Sequence, residues 1–98
     1  MNLTEYRKKM DQIDDKLLQL FIQRMEISEA IAVYKKENGI PVLDNQREKE
    51  KLLSIRENSP NDFKEYAADL FAKIMELSRG CQNRILNDSV ESPDENRK

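Results

Sequence analysis

Arg24 sits where an apolar helix face ought to continue. Leu3, Tyr6, Met10, Ile13, Leu17, Leu20, Arg24, Ile27, Ile31 and Tyr34 recur at alternating steps of three and four, and Arg24 alone among them is charged. A guanidinium buried without a partner is costly, so Arg24 needs a carboxylate or an anionic ligand. Lys35 follows 11 residues later. At 3.6 residues per turn the two side chains share a face to within about 20° and stand about 16 Å apart along the axis. Long cationic side chains leaning toward each other from such positions grip a small anion. The plainer reading has Arg24 setting coiled-coil register or pairing with a Glu, and Lys35 solvated.

Three further groups fit the same chemistry. Asp44, Arg47, Glu48 and Lys51 fall at i, i+3, i+4 and i+7, one helix face; a solvated face with Asp44 as its cap is the plain alternative. Ser78 and Gln82 form an i, i+4 pair at the edge of a later apolar stripe, where a polar flank is also an ordinary finding. Arg7 lies beside Tyr6 at the seam edge, as many flanking arginines do. Arg7 and Arg24 are 17 residues apart, about 25 Å along a helix and about 100° out of phase. One helix cannot turn both onto one small ligand. If both contact it, Arg7 comes from a second copy in an antiparallel pairing.

The chain that must position these groups is short and polar. It has 98 residues, 38% hydrophobic and 37% charged, with 6% aromatics and a formal net charge of -2. One small domain is the limit, and it has little core material of its own. Such a chain is either mostly disordered or helical with a core shared with a partner. The absence of histidine excludes His-based triads and His–metal sites, and the single Cys81 excludes a disulfide framework and a zinc cluster. One free cysteine fits a reducing, cytoplasmic setting. No apolar run reaches the roughly 18 residues of a membrane span, and the N-terminus has no signal-peptide core. The near-neutral charge argues against a nucleic-acid partner.

Two glycines and three prolines punctuate the chain. Asn38-Gly39 followed by Pro41 stops one helix, and Ser59-Pro60 marks a second break. The spacing predicts an all-α fold with helices over about 3–38, 44–58 and 62–86. Asn2 with Glu5 forms a capping box for the first, Asp44 caps the second, and Asp62 with Glu65 stands at capping-box spacing before the third. The third helix carries the stripe Phe63, Ala67, Leu70, Ile74, Leu77, Cys81, Ile85. The run Ala30–Tyr34, apolar on all sides, predicts enclosure by other helices. A first helix about 50 Å long is too long for a compact monomer, so its seam should meet a second subunit. Residues 1–87 read as the domain and 88–98 as a disordered polar tail.

Taken in order, these residues resemble the AroQ class of all-α, type II chorismate mutases over about residues 3–86. The run Arg7-Lys8-Lys9-Met10-Asp11-Gln12-Ile13-Asp14-Asp15-Lys16-Leu17-Leu18 is similar to the family's opening motif, and Leu20-Phe21-Ile22-Gln23-Arg24 to its L-[IL]-x-x-R. Lys35 stands at the family interval; Asp44-Asn45-Gln46-Arg47-Glu48 resembles its D-x-x-R-E, and Ser78-Arg79-Gly80-Cys81-Gln82 its S-x-x-x-Q. Gly80 inside the third helix and the tail after Asn87 depart from the pattern.

The resemblance implies an intertwined homodimer of three-helix subunits with very long first helices. It implies the Claisen rearrangement of chorismate to prephenate, on the route to phenylalanine and tyrosine. Lys35, Gln82 and Glu48 match catalytic positions: Lys35 and Gln82 donate to the ether oxygen, and Glu48, with Asp44, lies around the hydroxyl and Lys35. Arg7 from the other subunit, Arg24 and Arg47 match positions that hold the carboxylates, and Ser78 lines a carboxylate site. A pericyclic step needs no base, nucleophile, metal or cofactor. It needs a flexible dianion held in its reactive shape, a task suited to guanidinium forks, and donors aimed at the oxygen where charge develops. A stand-alone mutase without a regulatory domain is the expectation. Two rivals stay open: an isochorismate-pyruvate lyase on the same scaffold, and a non-catalytic helical dimerisation module, which leaves Arg24 unexplained.

Overall fold

The structure, a computed structural model, describes residues 1–88. Helix α1 spans Leu3–Glu37, α2 Asn45–Glu57 and α3 Lys64–Asp88, with a 3₁₀ turn at Asn61–Phe63 between the last two. There is no strand among the described residues, and no described helix is long and apolar enough to cross a membrane. The expected tail lies outside the described residues, apart from Asp88, which ends α3.

Local sequence accounts for most helix ends. The Asn2 Oδ1 accepts from the Glu5 N–H at 2.9 Å and the Glu5 Oε1 accepts from the Asn2 N–H at 3.2 Å, so the capping box forms. At the far end Gly39 takes φ of +65°, the left-handed conformation that glycine adopts without strain. The Ile40 N–H then donates to the Lys35 carbonyl at 2.8 Å and the Gly39 N–H to the Lys36 carbonyl at 3.4 Å. This is a Schellman closure, and it turns the chain back along the end of α1. Asp44 caps α2, its Oδ1 accepting from the Arg47 N–H at 3.0 Å.

The expected Asp62 capping box does not form. Asp62 lies inside the 3₁₀ turn, which starts at Pro60 without a side-chain cap. The Pro60 carbonyl accepts from the Phe63 N–H at 3.0 Å. The fixed φ of proline, here -59°, favours this tight turn, and α3 begins two residues later than Asp62.

Helix α3 packs on both α1 and α2 and so holds the subunit together. The extents are 55 × 35 × 15 Å with a radius of gyration of 17.5 Å. A compact chain of this length has about 13 Å, and a thickness of 15 Å is little more than one helix. The buried apolar side chains among the described residues are accordingly few: Ala32, Ala68, Met75 and Cys81. The α1 seam is uncovered, with Leu3, Tyr6, Met10, Ile13, Leu17 and Leu20 each 55% to 61% exposed. Within the Ala30–Tyr34 run only Ala32 is buried, so the described residues of one chain do not supply the expected enclosure.

The rows that do pack lie beside the main apolar stripes, and on α1 the packed Phe21, Met25 and Ala32 belong to a neighbouring apolar row that the spacing already shows. On α1 the inward row is Phe21, Met25, Ser28, Ala32 and Lys35, and on α3 it is Ala68, Phe71, Met75, Ser78 and Gln82. The expected α3 stripe is turned about 100° away; its Phe63, Leu70 and Leu77 stay exposed, while Cys81 at its edge is buried. Small residues on α1, Ser28 and Ala32, let α3 approach closely and bring its polar row inside.

Candidate active site

The inward polar rows of α1 and α3 meet the first two turns of α2 around a cleft of about 460 Å³, a size suited to a small metabolite. Helix α1 contributes Arg24, Ser28 and Lys35, with Ile27 and Ile31 as apolar wall. The start of α2 contributes Asp44, Arg47, Glu48 and Lys51. Helix α3 closes the cleft with Ser78, Arg79 and Gln82 over an apolar floor of Phe71 and Met75.

Several of these polar groups are held by a neighbour in the same chain. The Arg24 Nη1 donates to the Ser78 Oγ at 3.0 Å, and the Ser78 hydroxyl faces the Met25 sulfur at 3.9 Å. The Lys35 Nζ donates to the Val42 carbonyl at 2.9 Å, so the turn after α1 anchors the ammonium at the mouth of the cleft. The Gln82 Nε2 donates to the Ser28 Oγ at 2.9 Å, both side chains being buried. That leaves the second N–H of the amide unassigned by this bond. The Asp44 carboxylate serves as the α2 cap, and Arg79 Nη1 donates to both oxygens of Glu48 at 2.5 and 2.7 Å.

The charges are unequal. Arg24, Lys35, Arg47, Lys51 and Arg79 face Asp44 and Glu48. Among the described residues Arg79 is the cleft cation with a carboxylate within 4 Å; Arg24, Lys35, Arg47 and Lys51 have none. Among the described residues Arg24 therefore does not pair with a Glu. The cleft is a partly enclosed, positively charged space with apolar walls, which suits a small dianion carrying an apolar ring.

Seven of the eight predicted site residues line this one cleft: Arg24, Lys35, Asp44, Arg47, Glu48, Ser78 and Gln82. Arg7 does not; it lies on the exposed N-terminal half of α1, outside the lining. Sequence reasoning missed the roles of Ser28 and Arg79. Ser28 stands four residues after Arg24 on the same face, a small polar residue amid apolar neighbours, which was a usable signal. Arg79, next to Ser78, carried no signal, because its meaning depends on Glu48 reaching it from another helix.

Residues 6–83 match the family described as chorismate mutase type II. A chorismate mutase of Methanocaldococcus jannaschii is 32% identical over 89 residues, covering 89% of this chain and 90% of the relative. No solved structure matched. With the family motif spanning all three helices and the cleft between them, the chain belongs to the chorismate mutase type II family.

Proposed function

We propose that the cleft is the active site of a chorismate mutase that rearranges chorismate to prephenate, with Arg24 and Arg47 gripping the carboxylates and Lys35 and Gln82 donating to the ether oxygen. The observation that carries this reading is the set of four cleft cations without a carboxylate partner among the described residues. Uncompensated charges beside an apolar wall are unfavourable, and a bound dianion offsets part of that charge. Guanidinium forks hold two carboxylates at fixed separation, which restricts a flexible substrate to its compact reactive shape. The breaking C–O bond leaves negative charge on oxygen. Lys35 is already anchored at Val42 and Gln82 at Ser28, so little reorganisation accompanies the reaction. Glu48 and Asp44 serve the substrate hydroxyl and the Lys35 side of the site, and Ser78 lines the carboxylate held by Arg24.

The functional unit in this reading is a homodimer, with Arg7 of a second copy completing each site. Two observations support it: the uncovered α1 seam, and a thin subunit with a small core. A cytoplasmic location fits the free thiol of Cys81. Incubation of the protein with chorismate, followed by absorbance loss and product identification, tests the proposal; prephenate is the expected product. An isochorismate-pyruvate lyase would use the same cations, and pyruvate release from isochorismate with chorismate left intact would replace our reading with that one.

A further inference from the structure

The cleft cations divide into two kinds. Among the described residues four face the space without a carboxylate within 4 Å, while Arg79 is closed onto Glu48, its Nη1 donating to both carboxylate oxygens at 2.5 and 2.7 Å. The partners come from α3 and α2, 31 residues apart, and their side chains are 32% and 25% exposed. Partial burial makes this bond stronger than a surface ion pair.

An acidic side chain in a site for a dianion presents a problem of charge. A free Glu48 carboxylate would repel the substrate and be open to pairing with Lys51, three residues on along its own helix, which would cancel a cleft cation. Arg79 removes both difficulties. One nitrogen bridging both oxygens offsets the charge and holds the carboxylate in place against α3. A carboxylate has about four lone-pair sites; two are taken by Arg79, and the others stay open to a hydroxyl.

We propose that Arg79 is a positioning residue. It neutralises and orients Glu48, so that Glu48 accepts from the substrate hydroxyl without repelling the substrate carboxylates. This rests on the mutase reading for the identity of the hydroxyl, and the Arg79–Glu48 coupling itself is independent of that chemistry.

The test is a double-mutant cycle of Arg79→Met and Glu48→Gln, read as kcat and KM for chorismate. With Glu48 present, Arg79→Met raises KM about tenfold or more; with Gln at position 48, adding Arg79→Met changes KM by less than about threefold. Equal effects in both backgrounds, or none in either, would overturn the proposal, because a role in folding or in direct substrate contact does not vanish with the Glu48 charge. Thermal midpoints of the four proteins separate unfolding from a local effect, and Arg79→Gln replaces Arg79→Met if the latter does not fold. Calorimetric titration with malonate as the dicarboxylate probe reads the same coupling without turnover. If chorismate is not converted by the wild type but malonate shows the coupling, the mutase reading fails and the role of Arg79 stands; additive malonate affinities would overturn it.

Discussion

Replacing Lys35 with methionine keeps a stem of similar length and removes the ammonium. In the structure that ammonium has three N–H donors, one of which goes to the Val42 carbonyl at 2.9 Å. The other two are available to the cleft, and no carboxylate within 4 Å dilutes the charge among the described residues. Removing one preorganised donor to a developing oxyanion costs about 3–4 kcal/mol, or 10²–10³ in rate. The structural loss is smaller. The Val42 carbonyl sits in a part-buried contact, so its unmade bond costs about 1 kcal/mol, or about 4–8 °C in melting temperature for a domain of this size. Lys35→Met should therefore lower kcat at least about 100-fold while the protein stays folded at 25 °C. Chorismate absorbance loss at saturating substrate gives kcat, and circular dichroism with sedimentation gives the folded state. Lys36→Met, which changes a neighbouring lysine outside the cleft lining, serves as the control and should turn over normally. A folded Lys35→Met protein within about tenfold of wild-type kcat would refute the ether-oxygen role.

Other outcomes follow from the same geometry. Arg7→Ala and Lys35→Met chains, each inactive alone, should recover about a quarter of wild-type activity when mixed and exchanged, since half of the dimers are mixed and each holds one intact site; no recovery after proven exchange would exclude shared sites. Leu17→Glu changes a side chain 55% exposed in the single chain, where surface substitutions typically matter by less than about 0.5 kcal/mol. If the seam is an interface, sedimentation and circular dichroism will instead show dissociation and loss of helix, since each buried leucine contributes about 1.5–3 kcal/mol. Gly80 is exposed in mid-helix, and an added Cβ meets nothing within 4 Å. Gly80→Ala should therefore raise stability by about 0.4–1 kcal/mol, measured as a higher melting temperature. A lower one would mean that Gly80 packs against a second copy.

The amino-acid sequence alone determined what is local. Helix ends set by Asn2, Gly39 and Asp44 depend on hydrogen bonds to residues within five positions, so residue type and spacing suffice to find them. The cationic groups were legible for a related reason, because helical phase puts Arg24 with Lys35, and Asp44 with Arg47 and Glu48, on common faces whatever the tertiary fold. The Asp62 cap failed because proline geometry at position 60 competed for the same turn. Only the tertiary structure decided which row of α3 turns inward. An apolar stripe states that a face seeks cover, and it does not say which neighbour supplies it. Here Phe63, Leu70 and Leu77 of the stripe stay outside, Ala67, Ile74 and Ile85 are half-buried, and the polar row with Ser78 and Gln82 meets α1. The bonds Arg24–Ser78, Ser28–Gln82 and Glu48–Arg79 join residues 54, 54 and 31 positions apart. Each depends on the rotation of one helix against another, a quantity that packing sets and that no spacing within one helix encodes.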